Sequence, residues 1–200
     1  MVHYCRPAVL RGRHVRLELL EEAHVPDLAA AAQDDELWRW MPASRPRDDQ
    51  EMLALVQAAR DEWSRGERLP FAIVAQANGR AIGSTSYLDI APAHRALEIG
   101  WTWLARAWWR TACNTEAKLL LLRHAFDKLE VNRVALRTDH RNDRSQVAIA
   151  RIGGVREGSL RQHRLRPDGT FRDTVYFSIL AEEWPQVERR LVERVAAEQP

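Results

Sequence analysis

The stretch Glu98-Ile-Gly-Trp-Thr-Trp-Leu-Ala-Arg-Ala-Trp-Trp-Arg-Thr-Ala-Cys-Asn-Thr-Glu-Ala-Lys-Leu-Leu-Leu-Leu-Arg-His-Ala-Phe126 decides the reading of the chain. In it a strand pattern runs through a short polar loop straight into a helix. Leu97, Ile99, Trp101 and Trp103 alternate with Glu98, Gly100 and Thr102, the period of an extended strand whose two faces differ. The alternation predicts a strand ending near Leu104, with Glu98 on the face opposite the tryptophans. After a loop carrying Arg106 and Arg110, Asn114 is expected as N-cap and Glu116 as a complement to the positive helix end. From Ala117 to Phe126 the run is apolar on most faces, so the helix is expected to be buried. Backbone N–H groups gathered at such a helix start suit a diphosphate, since unpaired amides and the helix dipole both favour negative charge. A buried helix with no anion at its start fits the same pattern.

Composition bounds the rest. The chain has 200 residues with 46% hydrophobic content, enough for a real core, and residues 1–200 are read as one domain. A net charge of +2 is too mild to argue for nucleic acid or a membrane surface. Its two cysteines, Cys5 and Cys113, form no framework, which fits a reducing compartment. No metal-ligand spacing is present. The start lacks an apolar signal core and no run is long enough to span a membrane, so a cytoplasmic protein is expected.

Outward from the central stretch, Val15, Leu17 and Leu19 give a first strand after a turn at Gly12, and a helix is expected from Val25 to Ala32. Asp48 or Asp49 opens a second helix with Met52, Leu55, Val56, Ala59 and Trp63 on one face, ended by Gly66. Strands at Phe71–Ala75 and Ala81–Leu88 flank a turn at residues 77–80. Beyond the central helix, Val134, Leu136 and Thr138 form a strand, and Asn142 caps a helix that stops at Gly153-Gly154. Two strands around Pro167-Asp168-Gly169 and a last helix begun by Pro185 complete the chain. This order predicts a mixed α/β fold with a largely antiparallel sheet.

The central segment resembles the acetyl-coenzyme A loop of the GNAT superfamily of N-acetyltransferases, in particular the ribosomal-protein N-terminal (alanine/serine) acetyltransferase branch. The resemblance rests on Glu98-Ile99-Gly100, Trp103-Leu104, Trp108-Trp109 and Asn114-Thr115-Glu116-Ala117-Lys118. Downstream it continues in Asn142-Asp143-Arg144-Ser145, Gly153-Gly154-Val155-Arg156-Glu157-Gly158 and Asp168-Gly169-Thr170-Phe171-Arg172-Asp173. Ser178-Ile179-Leu180 and Glu183-Trp184 close it, so that it covers most of the chain from about Leu10. It implies a GNAT-like sheet with helices on both faces and a splayed central strand pair, with coenzyme A entering the gap. One departure is plain: where the family loop has glycines around a small turn, this chain has Arg110 and Ala112.

The resemblance implies transfer of an acetyl group from acetyl-coenzyme A, as co-substrate and without metal, to a primary amine, either a protein N-terminus or a small molecule. Attack is expected to be direct, within a ternary complex. The pyrophosphate is expected on backbone amides of Arg110, Thr111, Ala112, Cys113, Asn114 and Thr115. A free N–H near Trp103 or Leu104 is the candidate for polarising the thioester carbonyl. By the same resemblance Ser145 donates its hydroxyl to the coenzyme sulfur and Asn142 binds the pantetheine amide; both also read as simple capping residues.

Three residues compete to take the amine proton. Glu98 projects from the strand that would hold the carbonyl, but needs burial to raise its pKa. His163 and Asp173, on the paired final strands, are its rivals, and the acidic residue used by some relatives aligns with Arg164. For the acceptor, Trp38 and Trp40 are the expected cleft pair in a proline-bounded segment, with Asp173 as a further contact. Arg156, Arg161, Arg164, Arg166 and Arg172 could recognise an acidic or nucleotide-like substrate, but they read best as a solvated basic face balanced by Glu157, Asp168 and Asp173. The alternative function is a non-catalytic acyl-coenzyme A sensor or interaction module, its turnover lost through Arg110 and Ala112. A homodimer is compatible with either, and neither nucleic acid nor membrane is an expected partner.

Overall fold

The computed structural model describes residues 8–166 and 168–197; Cys5 and Pro167 lie outside the described residues. The chain opens with strands β1 (Leu10–Arg11) and β2 (Val15–Leu19), then helices α1 (Val25–Ala31), α2 (Asp35–Trp38) and α3 (Asp49–Ser64). Strands β3 (Arg68–Ala75), β4 (Ala81–Ala91) and β5 (Ala96–Leu104) follow, leading into α4 (Ala112–Arg123). The rest is β6 (Arg133–Asp139), α5 (Asp143–Arg151), β7 (Val155–Leu165), β8 (Phe171–Leu180) and α6 (Trp184–Ala197). The expected order is present. Two elements are additions to it, the two-residue β1 and the four-residue α2, both too short to show a period.

One eight-stranded sheet runs β1-β2-β3-β4-β5-β6-β8-β7 among the described residues. Every pairing is antiparallel except β5 with β6, which is parallel and joins only Ala96–Glu98 to Arg133–Ala135. Beyond Glu98↔Ala135 the ladder stops, although β5 continues to Leu104 and β6 to Asp139. The two strands therefore part along their C-terminal halves.

Local chemistry sets the ends of the helices. Asp48 caps α3 by accepting the Glu51 N–H at 2.8 Å, and Gly66 just past its end has φ +77°. Asn142 caps α5 by accepting the Ser145 N–H at 3.1 Å. The start of α4 differs from expectation: its N-cap is Thr111, which accepts the Cys113 N–H at 3.3 Å, and Asn114 is already inside the first turn. Glu116 does not serve the helix end. Its carboxylate accepts the N–H groups of Arg13, His14 and Val15 at 2.7, 2.6 and 2.7 Å, tying α4 to the start of β2. Gly12 fits there because a Cβ would fall 2.4 Å from the Glu116 carboxyl carbon.

The sheet has a hydrophobic core on each face. Val15, Leu17, Phe71, Ile73, Leu97, Ile99 and the leucines of α4 fill one, while Ala72, Val74, Met52, Val56 and Trp103 fill the other against α1–α3. The regular alternation expected along β5 is broken. Ser86 pairs with Gly100 but Ser84 pairs with Trp103, leaving an extra residue on β5, and Trp101 takes φ +50°. This bulge sends Trp103 to the face opposite Ile99, against Trp38 at a ring separation of 5.3 Å. Glu98 thus shares a face with Trp103 instead of opposing the tryptophans.

Candidate active site

A cleft of about 1260 Å³ occupies the place where β5 and β6 part. Its walls are β5 from Glu98 to Leu104, β6 from Leu136 to Asp139, the starts of α4 and α5, the β7–β8 hairpin, and the segment from Arg39 to Pro42. Glu98, Trp103, Leu104, Arg110, Thr111, Asn114, Thr115, Asn142, Ser145 and Trp40 all line it, so ten of the residues singled out from the sequence meet at one place.

Five others do not line it. Ala112 and Cys113 are completely buried; Cys113 packs in the core behind the loop. Trp38 is core as well, its indole donating to the Ala32 carbonyl at 2.9 Å. His163 packs its ring 6.0 Å from Tyr176, and its pKa is held down by burial and by Arg164, Arg137 and Arg172. Asp173 accepts the Gln162 N–H at 2.8 Å and so fastens an irregularity in the β7–β8 pairing. Both rivals to Glu98 therefore have structural surroundings outside the cleft wall.

At the phosphate-type end, the loop into α4 takes a left-handed turn at Arg110, φ +62°, although its side chain has a Cβ. Ala112 needs no such freedom, because it is the first residue of the helix. Across the mouth, the Arg144 guanidinium lies 3.8 Å over the Trp109 ring. The side-chain oxygen of Asn142 is committed to the α5 cap, which leaves its NH₂ as a donor.

Deeper in, Glu98 is 3% exposed and pairs with Arg137 at 2.7 Å. Arg137 also holds Asp89 at 3.1 Å and the Tyr176 hydroxyl at 3.2 Å. Burial raises the Glu98 pKa to about 7, outweighing the lowering by Arg137, with the neighbouring Asp89 adding to the rise. Gly100 keeps this carboxylate in place, since a Cβ there would meet Glu98 Oε1 at 2.8 Å. Lys118 of α4 reaches the cleft and donates from Nζ to Thr102 Oγ1 at 2.6 Å; Thr102 in turn shares a 2.8 Å hydrogen bond with the buried Thr85. Burial lowers the Lys118 pKa to about 7 against the opposing pull of Glu98.

Lys118, Thr102 and Arg137 were not singled out from the sequence as site residues. A usable sign of Lys118 existed: a lysine inside the apolar run Ala117-Lys-Leu-Leu-Leu-Leu122 must either escape to solvent or be buried with a partner.

The sequence and the fold both have counterparts among known proteins. Residues 14–155 match the family model described as Acetyltransferase (GNAT) domain. This chain belongs to the GNAT family. The solved GCN5-related N-acetyltransferase of Brucella melitensis superposes with a TM-score of 0.90 at 29% identity, over 95% of this chain and 86% of that one. Mycobacterium smegmatis RimJ, solved in complex with CoA-disulfide, gives 0.78 at 25% identity over 94% of this GNAT chain and 92% of its own. The Bacillus subtilis (strain 168) protein named "Putative ribosomal N-acetyltransferase YdaF" is 35% identical over 107 residues, 54% of this chain and 57% of that relative's length. The chain thus spans little more than half the length of the relative whose name refers to ribosomal acetyl transfer.

Proposed function

We propose that this protein transfers the acetyl group of acetyl-coenzyme A directly to a primary amine held in the same cleft. The observation that carries the reading is the end of the β5–β6 ladder at Glu98↔Ala135, which opens a cleft running from a buried carboxylate to the start of α4. The residues fit the coenzyme. The helix start at residues 110–115 offers amides to the pyrophosphate, and the unpaired edge of β5 offers backbone donors to a thioester. RimJ, solved with CoA-disulfide, supports the same choice of ligand.

In this reading the amine nitrogen attacks the thioester carbonyl carbon, and a backbone N–H near Trp103 or Leu104 stabilises the oxyanion. The C–S bond then breaks, and Ser145 donates a hydrogen bond to the departing thiolate. The proton lost by the amine passes to Glu98, whose pKa of about 7 lets it be ionised and yet accept a proton near neutrality. Arg137 orients the carboxylate through the 2.7 Å ion pair. No covalent enzyme intermediate is needed.

The single sheet of the described residues supports reading the chain as one domain, and two cysteines suit a cytoplasmic setting. The test is release of free coenzyme A thiol from acetyl-coenzyme A in the presence of a panel of primary amines, with protein N-terminal peptides included. Acceptor-dependent release supports the proposal. Binding of coenzyme A with no release for any amine would make the protein an acyl-coenzyme A sensor.

A further inference from the structure

The β7–β8 hairpin brings two arginines face to face at the cleft wall. Arg164 and Arg172 are directly paired across the ladder, and both line the cleft. Opposite charges directly across a ladder are stabilising, and like charges directly opposite are destabilising. The juxtaposition depends on an irregularity: the register shifts between Leu160 and Arg164, Gln162 has φ +49°, and Asp173 fastens the Gln162 N–H. Such irregularities re-aim side chains beside binding sites.

The nearby carboxylates are bonded to other partners. Asp139 is held by Arg166 at 2.7 and 3.0 Å, Glu98 and Asp89 by Arg137, and Asp168 by the backbone and hydroxyl of Thr170. Neither Arg164 nor Arg172 forms an ion pair among the described residues; Arg172 donates only from Nε, to Thr174 Oγ1 at 3.1 Å. Burial works most strongly against the charge on Arg172; Asp139 favours that charge from a distance, while Arg164, Arg137 and Arg166 oppose it. A guanidinium does not shed its proton at neutral pH, so the charge stays, half-buried and crowded.

We propose that Arg164 and Arg172 hold an anionic group, a carboxylate or a phosphate, on the amine acceptor. The planar forks of two guanidinium groups match the oxygens of either anion. This site is separate from the amides of residues 110–115, since it stands on the β7–β8 hairpin and not on α4. Arg164 is close enough to Glu98 to favour its ionised form, so the anion and the amine proton acceptor share one cavity. The acceptor class is then an amine with a carboxylate or phosphate on the same small skeleton. The assignment rests on the acetyl-transfer reading, and its test separates the two.

Rates are compared for matched acceptors: 4-aminobutyrate with butylamine, O-phosphoethanolamine with ethanolamine, and putrescine as a cationic control. The anionic member of each favoured pair should show kcat/KM roughly tenfold to hundredfold higher, the range for hydrogen bonds to charged groups. Arg164→Ala, at an exposed position, and Arg172→Gln should abolish that preference, bringing the kcat/KM ratio within each matched pair close to one. In parallel, inorganic phosphate should raise the Tm of the protein saturated with coenzyme A, and the rise should vanish in Arg164→Ala. The carboxylate and phosphate arms identify which anion is used. Equal rates for neutral and anionic acceptors, or a preference that survives both substitutions, would overturn the inference and leave acetyl transfer standing. No transfer to any amine, with no phosphate-dependent rise in Tm, would overturn both.

Discussion

Lys118 Nζ lies 2.6 Å from Thr102 Oγ1, joining the middle of the buried helix α4 to the bulged part of β5. Thr102 also bonds to Thr85 on β4, so three elements meet at one polar line through the core edge. Lys118 is 7% exposed, and the charge of Glu98 favours its protonated form. Two ionisable groups whose protonated and ionised forms are balanced near neutrality therefore share the floor of the cleft.

Replacing Lys118 by methionine should alter the pH dependence of stability in one direction. The lysine pKa falls from 10.5 to about 7 on folding, so between those values the unfolded chain binds a proton that the folded chain does not. Stability must then rise with pH across that window. In Lys118→Met the rise should disappear, and at pH 7 the variant should gain more than about 1 kcal/mol, since a buried charge is costly. Urea unfolding at several pH values measures it. A rise of unchanged size would show that Lys118 is not the titrating group.

Glu116 should be among the least replaceable residues for stability. Its carboxylate is the acceptor for three consecutive backbone N–H groups, and alanine would leave them unsatisfied. With about 1–3 kcal/mol lost for each unsatisfied buried group, and the His14 and Val15 amides both buried, Glu116→Ala should cost at least about 2 kcal/mol. Gly12→Ala should also destabilise, because its Cβ would displace the same carboxylate. In the double variant the losses should be less than additive, as measured by chemical denaturation. Full additivity would mean that Gly12 acts through something other than Glu116.

The local signals and the long-range ones differ in how much of this was legible. Asp48, Gly66, Asn142 and Gly153 mark helix ends through side-chain caps and left-handed turns, which depend only on neighbours in sequence. The end of β5 at Leu104 followed in the same way from its pattern. The bulge at Trp101 did not, since tryptophan carries no preference for positive φ and the alternation reads through it unbroken. Thr111 took the cap expected at Asn114 because both residue types can cap, and only the docking of Ala112 and Cys113 in the core distinguishes them. Arg166 read as part of a solvated face; it is 8% exposed, and its partner Asp139 is 27 residues away. His163 and Asp173 were placed beside Glu98 as rivals because pairing partners and face depend on a register shift that no local pattern records.

Ser145→Ala should slow turnover by roughly tenfold while leaving coenzyme affinity nearly unchanged. Its backbone N–H, not its hydroxyl, is used by the Asn142 cap, so the α5 start survives the substitution. The hydroxyl is free to act on the sulfur, where charge appears only as the C–S bond breaks. Calorimetric titration with coenzyme A and steady-state rates separate these effects. An equal loss in binding and rate would make Ser145 a binding residue only.

The proton acceptor is tested by Glu98→Gln. With a pKa of about 7, the wild-type carboxylate is largely protonated at pH 6 and largely ionised at pH 8, so kcat/KM should rise through that interval. Glutamine keeps the shape and can still face Arg137, but it accepts no proton. The loss should be roughly hundredfold at pH 7, at the low end of general-base contributions, and should shrink as rising pH supplies amine that is already neutral. Stability gives an independent reading of the same group. Its folded pKa is raised from 4.5, so wild-type stability should fall as pH rises from about 4.5 to 7, and Glu98→Gln should remove that fall. His163→Ala and Asp173→Asn serve as controls, and neither should change the shape of the pH–rate profile. If Glu98→Gln kept the wild-type profile but lost the pH-dependent fall in stability, the carboxylate would be buried as described yet not take the amine proton. The amine would then reach the thioester already neutral, and catalysis would rest on orientation and on polarisation of the carbonyl.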